Sequence, residues 1–172
     1  MMKRVRQLFR AVFADVSAED RAFVKKNLDE RQQALFFGVS VPDQQHAIRT
    51  ARTALSLSKS VTEKVDLPLL TRCALLHDVG RKKGELGTCG KTFAVLFAAL
   101  FPGYARTYER GKSNGLIARK LRVYYRHPEI GADMLSGLGY TREAEIVRKH
   151  HEAPAEDDPP ELRILRMADE MN

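Results

Sequence analysis

Hydrophobic positions recur at spacings of three and four along most of the chain, which predicts helices rather than strands. The stretch SAED at 17–20 is a capping-box-like start, with Ser17 at the N-cap and Asp20 three residues on. Ala22, Phe23, Leu28, Leu35 and Phe36 then continue at roughly helical spacing. Pro42 suits the first turn of a helix carrying Ala47, Ile48, Ala51, Ala54 and Leu55. Pro68 opens another, through Leu69, Leu70, Cys73 and Leu76 to His77. In HPEIGADMLSGLGY, Pro128 falls just inside a helix start, and Gly137 and Gly139 break the run. Thr141 to His151 reads as a short amphipathic helix, EAPAEDDPP as an acidic, proline-rich loop, and Leu162 to Met171 as the last helix. An apolar run, Phe93 to Phe101, is broken by Pro102-Gly103, and 104–124 is compatible with a helix, a lid or a loop. No strand alternation, repeat or long linker interrupts this order, so the expected fold is all-α.

A chain of 172 residues with 44% hydrophobic and 30% charged residues has the composition of one globular domain with its own core. The nine-residue apolar run is far short of the ~20 residues that span a bilayer. Charges interrupt the apolar N-terminus, MMKRVRQLFRAVF, which does not read as a secretory signal. Cys73 and Cys89 have no CxxC spacing and read as reduced thiols of a cytoplasmic protein. The net charge of +7 is uneven: residues 81–126 hold eleven Lys or Arg against Glu85 and Glu109, a block of +9, and the remainder is −2. Such a block fits an anionic partner (phosphate, nucleic acid or a membrane surface) or else a solvated basic face.

All five histidines, His46, His77, His127, His150 and His151, sit on or at the end of predicted helices, close to an apolar stripe. Burying imidazoles repeatedly is unfavourable unless each finds a partner, and a shared cation satisfies several at once. Asp78, beside His77, and Asp169, near the end of the last helix, fit the same environment. Imidazole and carboxylate donors together suit Fe, Mn, Zn, Co or Ni. Seven such ligands are too many for one tetrahedral ion and about right for two ions sharing a bridging carboxylate. The plainer alternative for CALLHDVGRKKG is a helix C-terminus with a glycine cap and basic residues that suit its dipole.

The ordered set of His46, His77-Asp78 and Asp169, extended by HPEIG at 127–131, HHE at 150–152 and ILRMADEMN, resembles the HD-domain superfamily of metal-dependent phosphohydrolases. The resemblance covers about residues 43–172 and leans toward the branch that includes the HD-GYP phosphodiesterases of cyclic dinucleotides. The Gly and Tyr of the GYP loop are missing from HHEAPAEDDPP, and Arg81 stands where a lysine often follows HDxG. Pro42 occupies the position at which a third-metal variant carries Glu. The resemblance thus implies two divalent transition metals, Fe or Mn foremost, with Zn, Co and Ni also suited. His46, His77, Asp78 and Asp169 would hold the first. His127, His150 and His151 would hold the second, with Asp78 bridging. A metal-activated water would attack phosphorus, with Asp78 and Arg81 in the catalytic set. Arg81, Lys82, Arg122 and Arg126 would bind the phosphorylated substrate, a nucleotide or cyclic dinucleotide among the candidates.

The implied organisation is an HD helical bundle at 41–172, an N-terminal helical extension at 1–40 packed on it, and a basic insertion at about 85–124 that covers the site. Two alternatives stand beside hydrolysis. One is a non-catalytic HD module that keeps metal for structure or binds a nucleotide. The other is a nucleic-acid binder using 81–126, where Tyr104, Tyr108, Tyr124 and Tyr125 interleave with the arginines.

Overall fold

A computed structural model describes residues 16–81 and 116–172, with side chains from Tyr125 onward in the second stretch. Seven α-helices run through them: α1 (Ala18–Asn27), α2 (Glu30–Phe37), α3 (Val41–Leu57), α4 (Leu67–Leu76), α5 (Leu116–Gly137), α6 (Thr141–Lys149) and α7 (Pro160–Met171). A single 3-10 turn, Ser58–Ser60, follows α3. No strand occurs among the described residues, and none of their helices is long and apolar enough to cross a membrane. Lys82, Cys89, the apolar run 93–101 and most of the basic insertion lie outside the described residues.

Local chemistry sets the boundaries. Ser17 caps α1 by accepting the Asp20 N–H at 3.1 Å. The expected run from Ala22 to Phe36 is two helices, because Leu28 turns extended and Asp29 starts α2 with a reciprocal capping box to Gln32. Asp66 caps α4, accepting the Leu69 N–H at 3.0 Å, with Pro68 in the first turn. The expected helix start at Pro128 is a helix interior: α5 runs through it from Leu116. Proline removes one internal hydrogen bond, and the other turns of a 22-residue helix outweigh it. Beyond Gly137 the chain turns through Gly139, at φ +90°. There the Tyr140 N–H bonds the Leu135 carbonyl and the Gly139 N–H the Ser136 carbonyl, the pairing of a Schellman close.

Helix α4 is the axis of the bundle. Leu69, Leu70, Cys73, Ala74, Leu75 and Leu76 are all buried, so neighbours cover it on most sides. It packs on α3, α6 and α7 and is touched by α1 and α2, while α5 lies along α6. Val24, Leu28 and Phe36 of α1 and α2 share one core with Leu70, Leu75, Leu135, Val147 and Leu165. The most buried helix therefore ends at His77 and Asp78, in the middle of the molecule.

Candidate metal centre

His77 caps the C-terminus of α4 and His150 that of α6. In each, the ring Nδ1 lies against the carbonyl three residues back: His77 on Ala74 at 2.9 Å, His150 on Val147 at 2.6 Å. A carbonyl only accepts, so both Nδ1 atoms donate, and in the neutral ring Nε2 carries the lone pair. Both Nε2 atoms are buried and have no hydrogen-bond partner. Two helix ends thus aim an imidazole Nε2 into the centre, each ring oriented by a backbone carbonyl.

The carboxylates meet these nitrogens. Asp169, on α7, holds His46 Nε2 of α3 at 2.8 Å and lies 3.5 Å from His77 Nε2. Asp78 lies 3.5 Å from His77 Nε2 through Oδ2 and 3.2 Å from His127 Nε2, of α5, through Oδ1. The separations at His77 exceed good hydrogen-bond geometry, so attraction there is electrostatic. The rings form a chain: His46 to His77 at 5.3 Å, His77 to His150 at 5.3 Å, His150 to His127 at 5.4 Å and His127 to His151 at 5.0 Å. Three donor sets have ligand atoms within 4.8 Å of one another: His46, His77 and Asp169; His77, Asp78 and His150; and His127, His150 and His151.

With this arrangement in view, the family comparison is direct. A model of the HD domain matches residues 44–172. The chain belongs to the HD-domain superfamily of metal-dependent phosphohydrolases. No curated protein and no solved structure matches it. The match starts inside α3, so α1 and α2 precede the HD domain while sharing its core. HD domains bind divalent metals, and the centre of this one fits such an ion: orphaned buried imidazole nitrogens face two carboxylates.

Electrostatics within the HD centre are those of paired charges, Asp78 and Asp169 against Arg81 and His77. Burial pushes His77 down, yet Asp78 and Asp169 overcome it and raise it to about 9. Burial also opposes ionisation of both carboxyls, but neighbouring Arg81 and His77 hold Asp78 well below the usual carboxylate range, and His77 and His46 do the same for Asp169. His150 and His151 stay neutral. Burial and the adjoining imidazoles push the first well down and the second to about 4.

Six of the seven expected ligands are buried or half-buried, and His151 is the exception. As a residue it is exposed, although its place beside an apolar stripe predicts burial. Its ring nonetheless packs 4.1 Å from His150, because it follows the last turn of α6 at the rim of the centre. Arg81 is in the centre: Nη1 donates to Asp78 Oδ2 at 2.7 Å, and Nη2 lies 3.1 Å from His127 Nε2. Arg126 is exposed on the residue before His127. Arg122 lies on α5, but its side chain, like Lys82 as a whole, is outside the described residues.

Two supports of the centre escaped the sequence reading. Gly80 and Gly131 bring the HD turn and α5 into backbone contact: a Cβ on Gly80 would meet the His127 carbonyl oxygen at 2.1 Å and the Gly131 nitrogen at 2.8 Å. The glycines of HDVG and HPEIG carry that signal, and the first also fits the plainer reading of a helix cap. The second is Arg166 on α7. It donates to the buried Asp158 and, at 2.8 Å, to the carbonyl of Lys149, tying the loop after HHE to the helix that carries Asp169. Asp158 also accepts the Ala155 N–H at 2.8 Å, closing that loop.

Proposed function

We propose that the protein is a phosphohydrolase whose substrate is a phosphate ester of nucleotide type. Its centre would hold two divalent transition metals, Fe or Mn foremost. The observation that carries this reading is the pair of buried, unpartnered Nε2 atoms of His77 and His150, each fixed from behind by a backbone carbonyl and faced by Asp78. A buried imidazole nitrogen without a partner is unfavourable in a folded protein, and a shared cation relieves both.

His46, His77 and Asp169 would hold one ion, and His127, His150 and His151 the other, with Asp78 between them. Bound divalent cations supply Lewis acidity and activate the nucleophile for attack on phosphorus. The chain's own residues do the rest. The carbonyls of Ala74 and Val147 fix the imidazole tautomers. Asp78 balances positive charge at the centre of the cluster. Arg81, from a fork suited to phosphate oxygens, offsets the negative charge that develops in the transition state. Lys82, Arg122 and Arg126 would bind the phosphorylated substrate. Residues 1–40 serve as a structural extension of the HD domain at 41–172, and the insertion at about 85–124 contributes to substrate binding.

Elemental analysis of protein purified without chelator tests the reading, followed by a hydrolysis screen over cyclic dinucleotides, linear dinucleotides and nucleoside monophosphates. About two transition-metal ions per chain, and turnover that Asp78→Ala abolishes, are expected. A protein that takes up no metal, or turnover indifferent to Asp78→Ala, overturns it.

A further inference from the structure

We propose that Arg81 is a displaceable cation lodged in one of the two metal positions, so that the centre fills in a fixed order and the second filling releases a guanidinium toward the substrate. This rests on the reading of the centre as a two-metal site.

The two halves of the centre differ in one respect. On one side, His46, His77 and Asp169 converge with a carboxylate of their own, and among the described residues no arginine or lysine pairs with Asp169. On the other, His127, His150 and His151 are three imidazoles whose nearest carboxylate is Asp78. Arg81 occupies that side. Its Nη1 takes Asp78 Oδ2 at 2.7 Å, and its Nη2 points at His127 Nε2 from 3.1 Å. An arginine nitrogen only donates, so His127 meets it with the ring lone pair. The guanidinium thus engages the His127 nitrogen that the second ion would need, together with Asp78 Oδ2, while Asp78 Oδ1 is the oxygen that faces His127, at 3.2 Å. The Arg81 side chain is only 18% exposed, so this is a seated contact rather than a surface one.

A divalent ion and a guanidinium cannot both sit on those atoms. They repel strongly in a partly buried site, and the His127 Nε2 that both require has a single lone pair. The ion at His46, His77 and Asp169 therefore binds first, with no arginine or lysine seated on Asp169 among the described residues to expel. The ion at His127, His150 and His151 binds second, against Arg81. Once expelled, Arg81 is still tethered three residues from Asp78, beside the metals, with its whole donor fork free for the oxygens of a phosphate ester. Occupancy of the second position and readiness of the phosphate-binding arginine become one event.

Calorimetric titration of Mn²⁺ into the chelator-stripped full chain tests this, comparing wild type with Arg81→Met, which keeps bulk and removes charge and donors. The wild type should show two binding events, the second weaker. In Arg81→Met the second should tighten by roughly 10-fold or more, the loss of about one charge-assisted hydrogen bond, while the first changes little. If stripped Arg81→Met does not fold, it is refolded with Mn²⁺: recovery with two ions bound supports the proposal, and failure to recover overturns it. Two ions bound with an unchanged or weakened second affinity in Arg81→Met overturns this inference alone. No Mn²⁺ bound by either protein overturns it together with the proposed function.

Discussion

Gly80 is pressed against the backbone of His127: a methyl group at position 80 would fall 2.1 Å from the His127 carbonyl oxygen and 2.9 Å from its carbon. No rotamer change relieves such a contact, because both partners are backbone. Asp78 and His127 come within 3.2 Å where these two segments of the backbone touch.

Gly80→Ala should therefore destabilise the protein by about 1–3 kcal/mol or more, as overpacking does, and loosen metal retention at His127. Gly131→Ala is milder, since its Cβ would meet the Gly80 nitrogen at 3.3 Å and Val147 Cγ1 at 3.4 Å. Gly137 has nothing within 4 Å and ends a helix, so Gly137→Ala should be neutral or slightly stabilising. Urea denaturation of the three variants checks the order. Equal midpoints for Gly80→Ala and Gly137→Ala would remove the close approach from the account.

Metal addition should stabilise the protein in a way that depends on His77. A ligand that binds only the folded state adds about 2.7 kcal/mol at a free concentration 100 times its Kd. Wild-type protein titrated with Mn²⁺ should show a rising melting temperature that EDTA reverses. His77→Ala loses the shared Nε2 between Asp78 and Asp169, so its response should flatten and its turnover should drop at least ~100-fold. An undiminished Mn²⁺ response in His77→Ala would show that the ion binds elsewhere.

The helices were legible in the sequence wherever a local signal sets the boundary. Ser17, Pro42 and Pro68 all stand in first turns or caps where periodicity and chemistry agree. The errors came where two local signals compete. Leu28 and Asp29 continue an apolar spacing and also make a cap, and the cap wins because the Asp29–Gln32 pair satisfies two otherwise orphaned backbone groups. Pro128 is a helix starter by preference and a helix interior by context. In the centre, residue types and order pointed to the histidines and aspartates as one set. What composition and spacing cannot encode is a distance between segments 47 residues apart, such as Gly80 against His127, or a support such as Arg166 that touches the set only through a loop.

Arg166 should govern the position of His150 and His151 without touching either. It links α7 to Asp158 and to the Lys149 carbonyl, immediately before the two histidines. Arg166→Met removes both links and leaves the buried Asp158 with no cation from α7. The expected result is weaker binding of the second metal ion with the first retained, and a KM for substrate that changes less than kcat. Asp158→Asn should have a smaller effect, and the double variant should be less damaged than the two effects added. Strict additivity in that cycle would show that Arg166 and Asp158 act independently.

Far from the centre, Asp66 makes stability depend on acid pH with a predictable sign. One carboxylate oxygen accepts the Leu69 N–H at 3.0 Å, the other accepts from Arg142 at 3.0 Å, and the Asp66 N–H donates to Glu161 at 2.6 Å. The Leu69 hydrogen bond lowers its pKa below the ordinary 3.8, against a contribution from burial and with help from Arg142. A carboxyl that ionises more readily folded than unfolded stabilises the protein above its unfolded pKa. That contribution is lost as the pH falls through the folded value. Arg142 is 65% exposed, so the pair with it contributes little and the cap dominates. Asp66→Ala should then cost about 0.5–2 kcal/mol at pH 7, and Asp66→Asn less, since the amide oxygen still caps α4. Below about pH 3.8 the unfolded chain takes up this proton before the folded one does, so the gap between wild type and Asp66→Asn should shrink, and it should close as the pH falls through the lowered folded value. Urea midpoints at pH 7, 4.5 and 3 follow that gap, and a gap between wild type and Asp66→Asn that persists undiminished at pH 3 would mean that the Asp66 charge is not its source.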